Sequence, residues 1–387
     1  MKILYVCETI NAQHGGRTHA REFFSALKNS EEVDQVESFY TLEDHESQSQ
    51  ELIEKKASLK LPRFIYNFLK MTIMHPNRTM HISKTIAEIG CDALIVRNEV
   101  IRVNYQEIKS RFPDLKIGIE FNAVLSEELF VNRLLRWLPR YLEFRQLHHV
   151  DKVFPVSSLL RESMELFGVP SEKVIVNPNG VDVSRFDPRL LSRKQILRER
   201  YGIPDSTFVI GYVGGMEKFR YLPDLVEAFA ILLDKVNLGN VFLFMVGDGE
   251  QAPQVKSKLL ALCDEKNYLQ LGWQSHEDVP NIMATFDLAV MPYTQDYCSP
   301  LKLFEYMAMG LPTLGPDTDS VRELFEDGEH LWLVDQSPEN HQQLANQIHA
   351  LMKDQDNMAA VAKQGSDYVR QHFTWEANAK RVVDALK

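Results

Sequence analysis

Short apolar runs alternate with segments of helical spacing along most of this chain. Residues 3–7, 36–40, 93–96, 117–121 and 153–156 are the strand candidates of the first half. Residues 208–212, 241–246, 269–271, 288–291 and 312–314 are those of the second. Many lack the in–out alternation of a half-buried strand and read as strands covered on both faces, as in parallel sheets. Repeated strand–helix alternation predicts an α/β architecture with parallel sheets.

The 387 residues are enough for two domains of ordinary size. Near residues 187–205, Asp187-Pro188 opens a polar, basic stretch of helical pattern, Gly202-Ile-Pro204 closes it, and a new strand begins at Phe208. A boundary there predicts Rossmann-like lobes at 1–190 and 191–368, with a cleft between them. The tail, 369–387, ends in an amphipathic helix. In open α/β sheets, ligands bind beyond the carboxyl ends of the strands, so the loops after those strands are where chemistry is sought.

Composition narrows the class. A hydrophobic share of 44% and a charged share of 25% are those of a soluble globular protein. The formal net charge of -11 argues against broad nucleic-acid binding, which needs a basic footprint. No apolar run approaches the length of a membrane-spanning helix. The opening segment meets Glu8, Thr9 and Asn11 at once and reads as a buried strand, not a signal peptide. The four cysteines are far apart and form no CxxC, which favours a reducing cytosol and offers no zinc site. Residues 57–87 hold no Asp or Glu, yet carry Lys60, Arg63, Lys70, Arg78 and Lys84 among apolar residues. That pattern suits either contact with a lipid headgroup or lipid-linked substrate, or core-facing helices with basic outer faces.

The segment Cys298-Ser-Pro-Leu-Lys-Leu-Phe-Glu-Tyr-Met-Ala-Met-Gly-Leu-Pro312 predicts a loop running into a helix that stops at Gly310. The loop Ser299-Pro300-Leu301 would present unpaired N–H groups, and the helix dipole favours anions there. Lys302 and Glu305 are three apart and share a face. A carboxylate one turn in can accept hydrogen bonds from neutral hydroxyls, and phosphate beside a diol describes a nucleotide. The plainer reading is an amphipathic helix with a surface salt bridge. Gly15-Gly16, flanked by His14, Arg17 and His19, follows the first strand as a second helix-opening loop where backbone could approach a ligand, though by itself it reads as an ordinary βα turn. After the strand at 208–212, Gly215 leads to Lys218 and Arg220, cations placed either to meet a diphosphate or to face solvent. Trp273 follows another strand, where it would pack beside a base or in the core. Asn177-Pro-Asn-Gly-Val-Asp182 reads as a structural turn. Asp317-Thr-Asp319 reads as a helix-capping loop, with no metal expected.

Taken in order, these segments resemble the retaining GT-B glycosyltransferases of the large family 4 group. The resemblance rests on the opening strand with Gly15-Gly16, Phe154-Pro-Val-Ser157, Asn177-Pro-Asn-Gly-Val-Asp182 with Phe186, Gly211-Tyr-Val-Gly-Gly215, Glu227-Ala-Phe229, Val246-Gly-Asp-Gly249, Met291-Pro292 and the 298–312 segment. It implies two Rossmann-like domains facing across a cleft, a nucleotide diphosphate sugar held mainly by the second, and a tail helix crossing back to the first. Glu305 would bind ribose hydroxyls, and Ser299, Pro300 and Leu301 would border the diphosphate with Gly15 and Gly16. Gly215 and Arg220 stand at the positions of the family's phosphate-binding Arg/Lys pair, with Lys218 and Lys302 as further cations. Tyr297 stands where the family often has Glu. Glu120 and Asn122 occupy the strand end where a first-lobe His is often found. The implied activity is hexosyl transfer from a UDP-sugar, with retention and without metal or cofactor, to a glycan or lipid-linked acceptor of surface polysaccharide synthesis. The implied location is the cytoplasm, at the inner face of the membrane if 57–87 touches lipid. The rival readings are a degenerate nucleotide-sugar-binding or scaffold subunit and a GT-B-fold epimerase.

Overall fold

The computed structural model describes all residues except 12–14, 41–74, 98–102, 125–136, 236–240 and 338. The strands are β1 (Lys2–Cys7), β2 (Gln35–Ser38), β3 (Ala93–Arg97), β4 (Lys116–Phe121) and β5 (Lys152–Pro155), then β6 (Phe208–Val213), β7 (Val241–Val246), β8 (Tyr268–Leu271), β9 (Leu288–Val290), β10 (Thr313–Pro316) and β11 (Trp332–Val334). The helices between them begin with α1 (Gly15–Lys28), α2 (His75–Ile89), α3 (Tyr105–Arg111), α4 (Trp137–Leu147) and α5 (Ser158–Leu166). They continue with α6 (Lys194–Arg200), α7 (Leu222–Lys235), α8 (Ala252–Leu262), α9 (Val279–Met283), α10 (Leu301–Ala308), α11 (Asp319–Arg322), α12 (His341–Met352), α13 (Gln355–His372) and α14 (Trp375–Leu386).

The strands form two separate sheets, in the orders β2-β1-β3-β4-β5 and β11-β10-β9-β6-β7-β8. Every strand pairing within them is parallel. In β3 and β7 every residue is buried. Helices cover both faces of such strands, which is why their sequences are apolar without alternation. The three-residue β11 is the strand missing from the sequence expectation. The segment at 174–176 forms only a bridge from Val174 to Val153, with Ile175 and Asn177 donating to the carbonyls of Val153 and Pro155.

The chain forms two compact units, Met1–Pro178 with Trp375–Lys387, and Asn179–Thr374. The division precedes the expected 190/191 boundary because of what residues 179–200 bury. Val181 and Phe186 lie in the core of the second unit. Arg198, in α6, is almost wholly buried and donates to the carbonyls of Thr285, Asp205 and Thr207 and to the Asp287 carboxylate. A guanidinium satisfied at that many points fastens the polar stretch to the starts of β6 and β9. The tail divides too. α13 stays with the second unit, and only α14 belongs to the first. There α14 packs against α1, β4 and β5. Gly118 in β4 makes room for it, since a Cβ there would sit 3.0 Å from Leu386.

In the second unit, glycines bring two strand ends together. Gly247, with φ of 137°, leaves no space for a Cβ, which would overlap the carbonyl oxygen of Gly214 after β6. Gly214 in turn donates to Val246, and Met216 to Asp248. Gly247→Ala is expected to destabilise the fold by roughly 2–4 kcal/mol, from the unfavourable φ and the forced backbone shift. Chemical denaturation of the purified variant measures this, and an unchanged midpoint would contradict the close approach.

Candidate functional site

In the second sheet, connections run outward from β6 in both directions, so the switch point lies between β6 and β9. Loops at the carboxyl ends of such a pair form the ligand crevice of an open α/β sheet. Arg220 arrives there from the 3-10 turn Lys218–Arg220 after β6. Its guanidinium reaches the loop after β9 only at long range: 3.6 Å to the Met291 sulfur, 3.5 Å to the Tyr293 carbonyl and 3.4 Å to Thr294 Oγ1. Glu217 is 3.7 Å away, and the Arg220 Nε is buried without a hydrogen-bond partner among the described residues. Such a cation has capacity left for an anion. Lys218 is exposed beside it. Gly215 leaves the space that Glu217 fills, and its carbonyl accepts from the Tyr212 hydroxyl at 2.6 Å.

α10 begins at Leu301 after Pro300, whose extended backbone makes no side-chain cap. Ser299 is buried, and its groups are occupied: Oγ accepts from the Asn179 amide at 3.0 Å, and its carbonyl accepts from the Asn179 side chain at 2.5 Å. The hydroxyl therefore anchors the loop, and the N–H groups of Leu301 and Lys302 open the helix. Tyr306, on the buried face of α10, bonds both the N–H and the carbonyl of Val213 and so ties the helix to the end of β6.

Glu305 is 2% exposed, so its pairing with Lys302 is no surface salt bridge. Lys302 Nζ donates to Oε2 at 2.5 Å, and His276 Nε2 lies 3.5 Å from Oε1. Burial alone would raise this carboxyl; the Lys302 charge, and then His276, outweigh it and hold it below the usual carboxylate range. Glu305 is thus a buried anion. An ionised carboxylate has about four acceptor positions, and Lys302 and His276 address only one oxygen each. The remainder suits hydroxyl donors. Trp273, at 64% exposure, lies outside the core after β8. Tyr297 donates its hydroxyl to Gln295 at 2.9 Å. The Asp317-Thr-Asp319 loop caps α11, with Thr318 accepting from the Val321 amide and Asp317 paired with Arg322.

The first unit carries a second cluster, at the switch point of its own sheet between β1 and β3. Glu120, at the end of β4, is 3% exposed. Its carboxylate accepts from the Tyr5 hydroxyl at 2.9 Å and pairs with His19 Nε2 at 2.8 Å. Asn122 Nδ2 lies 3.5 Å from His19 Nδ1. Arg97, ending β3, donates to the Gly16 carbonyl at 3.1 Å. This holds the start of α1, and with it the Gly15-Gly16 turn, against the sheet. His19 also meets Trp375 of α14 edge-on, with ring centroids 4.8 Å apart. The sequence reading had placed His19 only beside the glycine turn, and Arg97 and Tyr5 nowhere in a site. His14 lies outside the described residues, as do residues 57–74 of the basic patch. In the described remainder, Lys84 pairs with Glu88 and Met80 is exposed.

Burial would raise the Glu120 carboxyl, but His19, Arg97 and Tyr5 together hold it below its ordinary value. A carboxyl lowered in the folded state takes up its proton later than the unfolded chain does. Its stabilisation is therefore complete above the unfolded value of about 4.3 and is lost as pH falls through the folded value. Urea midpoints measured from pH 7 to pH 3 should fall more steeply for the wild type than for Glu120→Gln. Parallel curves would show that Glu120 is not the group responsible.

The family described as Glycosyl transferases group 1 matches residues 193–368, and Glycosyltransferase Family 4 matches residues 124–185, together more than half of the chain. The N-acetyl-alpha-D-glucosaminyl L-malate synthase of Bacillus anthracis is 25% identical over 255 residues, covering 66% of this chain and 62% of that protein. The UDP-Gal:alpha-D-GlcNAc-diphosphoundecaprenol alpha-1,3-galactosyltransferase of Escherichia coli is 29% identical over 170 residues, covering 43% and 41%. The matched region thus spans less than two thirds of the length of these relatives. Among solved structures, Anabaena HepE in complex with UDP superposes with a TM-score of 0.73 at 19% identity, over 100% of this chain and 99% of that one. Two α/β units with all-parallel sheets and this likeness define the fold as GT-B. Within that class the chain belongs to the group 1, family 4-like glycosyltransferases.

Proposed function

We propose that the protein transfers a hexosyl group from a nucleotide diphosphate sugar, UDP-linked by preference, to a glycan or lipid-linked acceptor, with retention at the anomeric carbon. The observation that carries this reading is Glu305, a buried carboxylate with acceptor capacity to spare one turn into α10, in the same unit as the under-satisfied Arg220. Glu305 accepts from the ribose hydroxyls. The N–H groups of Leu301 and Lys302 and the Arg220 guanidinium, with Lys218 beside it, take the diphosphate, and Trp273 with the Gly272 backbone takes the base. The bond from the anomeric carbon to the phosphate oxygen breaks, the acceptor hydroxyl attacks the same face, and its proton passes to the departing phosphate. The negative charge gathering on that phosphate is met by Arg220 and the helix start, so no side-chain nucleophile, metal or cofactor is required. In the first unit, Asn122 and the Gly15-Gly16 turn are the candidates for contact with the acceptor.

The UDP preference draws on the UDP in the HepE structure and the UDP-Gal of the E. coli relative. That relative's lipid-diphosphate acceptor supports a role in surface polysaccharide synthesis at the cytoplasmic face of a membrane. Among the described residues no helix is long and apolar enough to cross a membrane. Calorimetry against UDP- and GDP-sugars, followed by NMR of the product anomer with and without EDTA, tests the proposal. Donor binding, slow donor hydrolysis and a retained anomer in the presence of EDTA are expected. Absence of both binding and hydrolysis would replace it with a scaffold role.

A further inference from the structure

His276 has no part in the reading above, yet it sits against the residue that carries it. Its Nδ1 is 2.6 Å from the Arg185 guanidinium. Arginine has donors only, so Nδ1 must accept, and the neutral ring then carries its proton on Nε2. That Nε2–H is the atom 3.5 Å from Glu305 Oε1, and it has no hydrogen-bond partner among the described residues. Phe186 holds the ring edge-on, with centroids 5.7 Å apart. Arg185 is in turn paired with Asp182 at 3.5 Å, and Asp182 is fixed by the amide and hydroxyl of Ser184 at 2.9 and 2.6 Å. The chain Asp182–Arg185–His276–Glu305–Lys302 therefore links the Asn177–Asp182 turn to the donor carboxylate. Asn179, in the same turn, anchors Ser299 independently.

We infer that His276 is a positioning residue for Glu305: Arg185 fixes its tautomer, and its Nε2–H restrains Oε1 while Lys302 restrains Oε2. Bonded by Lys302 at Oε2 and faced by the Nε2–H across 3.5 Å at Oε1, the carboxylate is biased to one orientation, and its remaining acceptor positions are set for a vicinal diol. The inference rests on Glu305 being the diol-binding group, so the test separates the two. Calorimetry would compare UDP with 2′-deoxy-UDP, and GDP with 2′-deoxy-GDP, on the wild type, Glu305→Gln, His276→Ala, His276→Gln and Arg185→Ala.

His276→Ala should weaken the ribonucleotide roughly tenfold and the deoxynucleotide much less, so that discrimination between them collapses. His276→Gln, which keeps an N–H at similar reach, should restore most of it. Arg185→Ala should fall between, and in turnover assays the loss should appear in KM more than in kcat. If Glu305→Gln abolishes discrimination while His276→Ala and Arg185→Ala leave it intact, the positioning role is wrong. If Glu305→Gln itself leaves discrimination intact, the diol reading of Glu305 fails first. Thermal melts establish that each variant is folded, and should His276→Ala not fold, His276→Gln and Arg185→Ala decide the same question.

Discussion

Glu305→Gln is expected to weaken binding of the nucleoside diphosphate roughly a hundredfold, the equivalent of about 2.7 kcal/mol. Hydrogen bonds to a charged group contribute about 1.5–3 kcal/mol each, and a carboxylate reading a diol makes two of them. Glutamine keeps the volume and one acceptor oxygen, but it removes the charge and turns the other position into a donor. The fold should survive the change, because Lys302 is 22% exposed and can return to water once its partner is neutral. A contact made equally to substrate and transition state shows in KM with little change in kcat. Titration of UDP into the folded variant measures the effect, and an unchanged dissociation constant would remove Glu305 from the donor site.

Arg220→Ala is expected to act on the other parameter, lowering kcat by roughly 10²–10³-fold. The charge that Arg220 meets is small in the bound donor and grows as the diphosphate leaves, so its interaction strengthens along the reaction. Among the described residues, every polar contact of the guanidinium is 3.4 Å or longer. Little native stability therefore depends on it, and the variant should melt near the wild type. Arg220→Lys should recover part of the rate, since an ammonium supplies the charge without the planar fork. Full turnover by Arg220→Ala would exclude it from the mechanism.

The fold was largely legible because its strongest signal is local. Runs such as 241–246 are apolar throughout, and a strand buried on both faces leaves that mark within its own residues. β11 was passed over although its apolar run is as long as those at 269–271 and 312–314. The Lys302–Glu305 pair was legible for the same reason, being three residues apart on one helix. Its depth was not, because burial depends on what packs above the helix. His276 and Arg185 are 91 residues apart, and His19 and Glu120 are 101 apart. Nothing in the spacing of such residues announces that they touch; the parallel crossovers that juxtapose them are a property of the topology. The segment 177–182 reads as structural from its residues, while what it supports became visible only through the side chains reaching from it.

The segregation of α14 from α13 also bears on synthesis. The first unit contains both the earliest strand and the helix at Trp375–Leu386, with the whole of Asn179–Thr374 inserted between them. On the ribosome the second unit, continuous in sequence, can close as soon as it emerges. The first must wait with the α14 side of β4 and β5 exposed, His19 lacking its Trp375 neighbour, until α14 arrives. The unit whose strands precede Asn179–Thr374 is thus completed after it. A C-terminal nick or tag that disturbs α14 would act on the N-terminal unit's fold and leave the donor residues of the other unit intact.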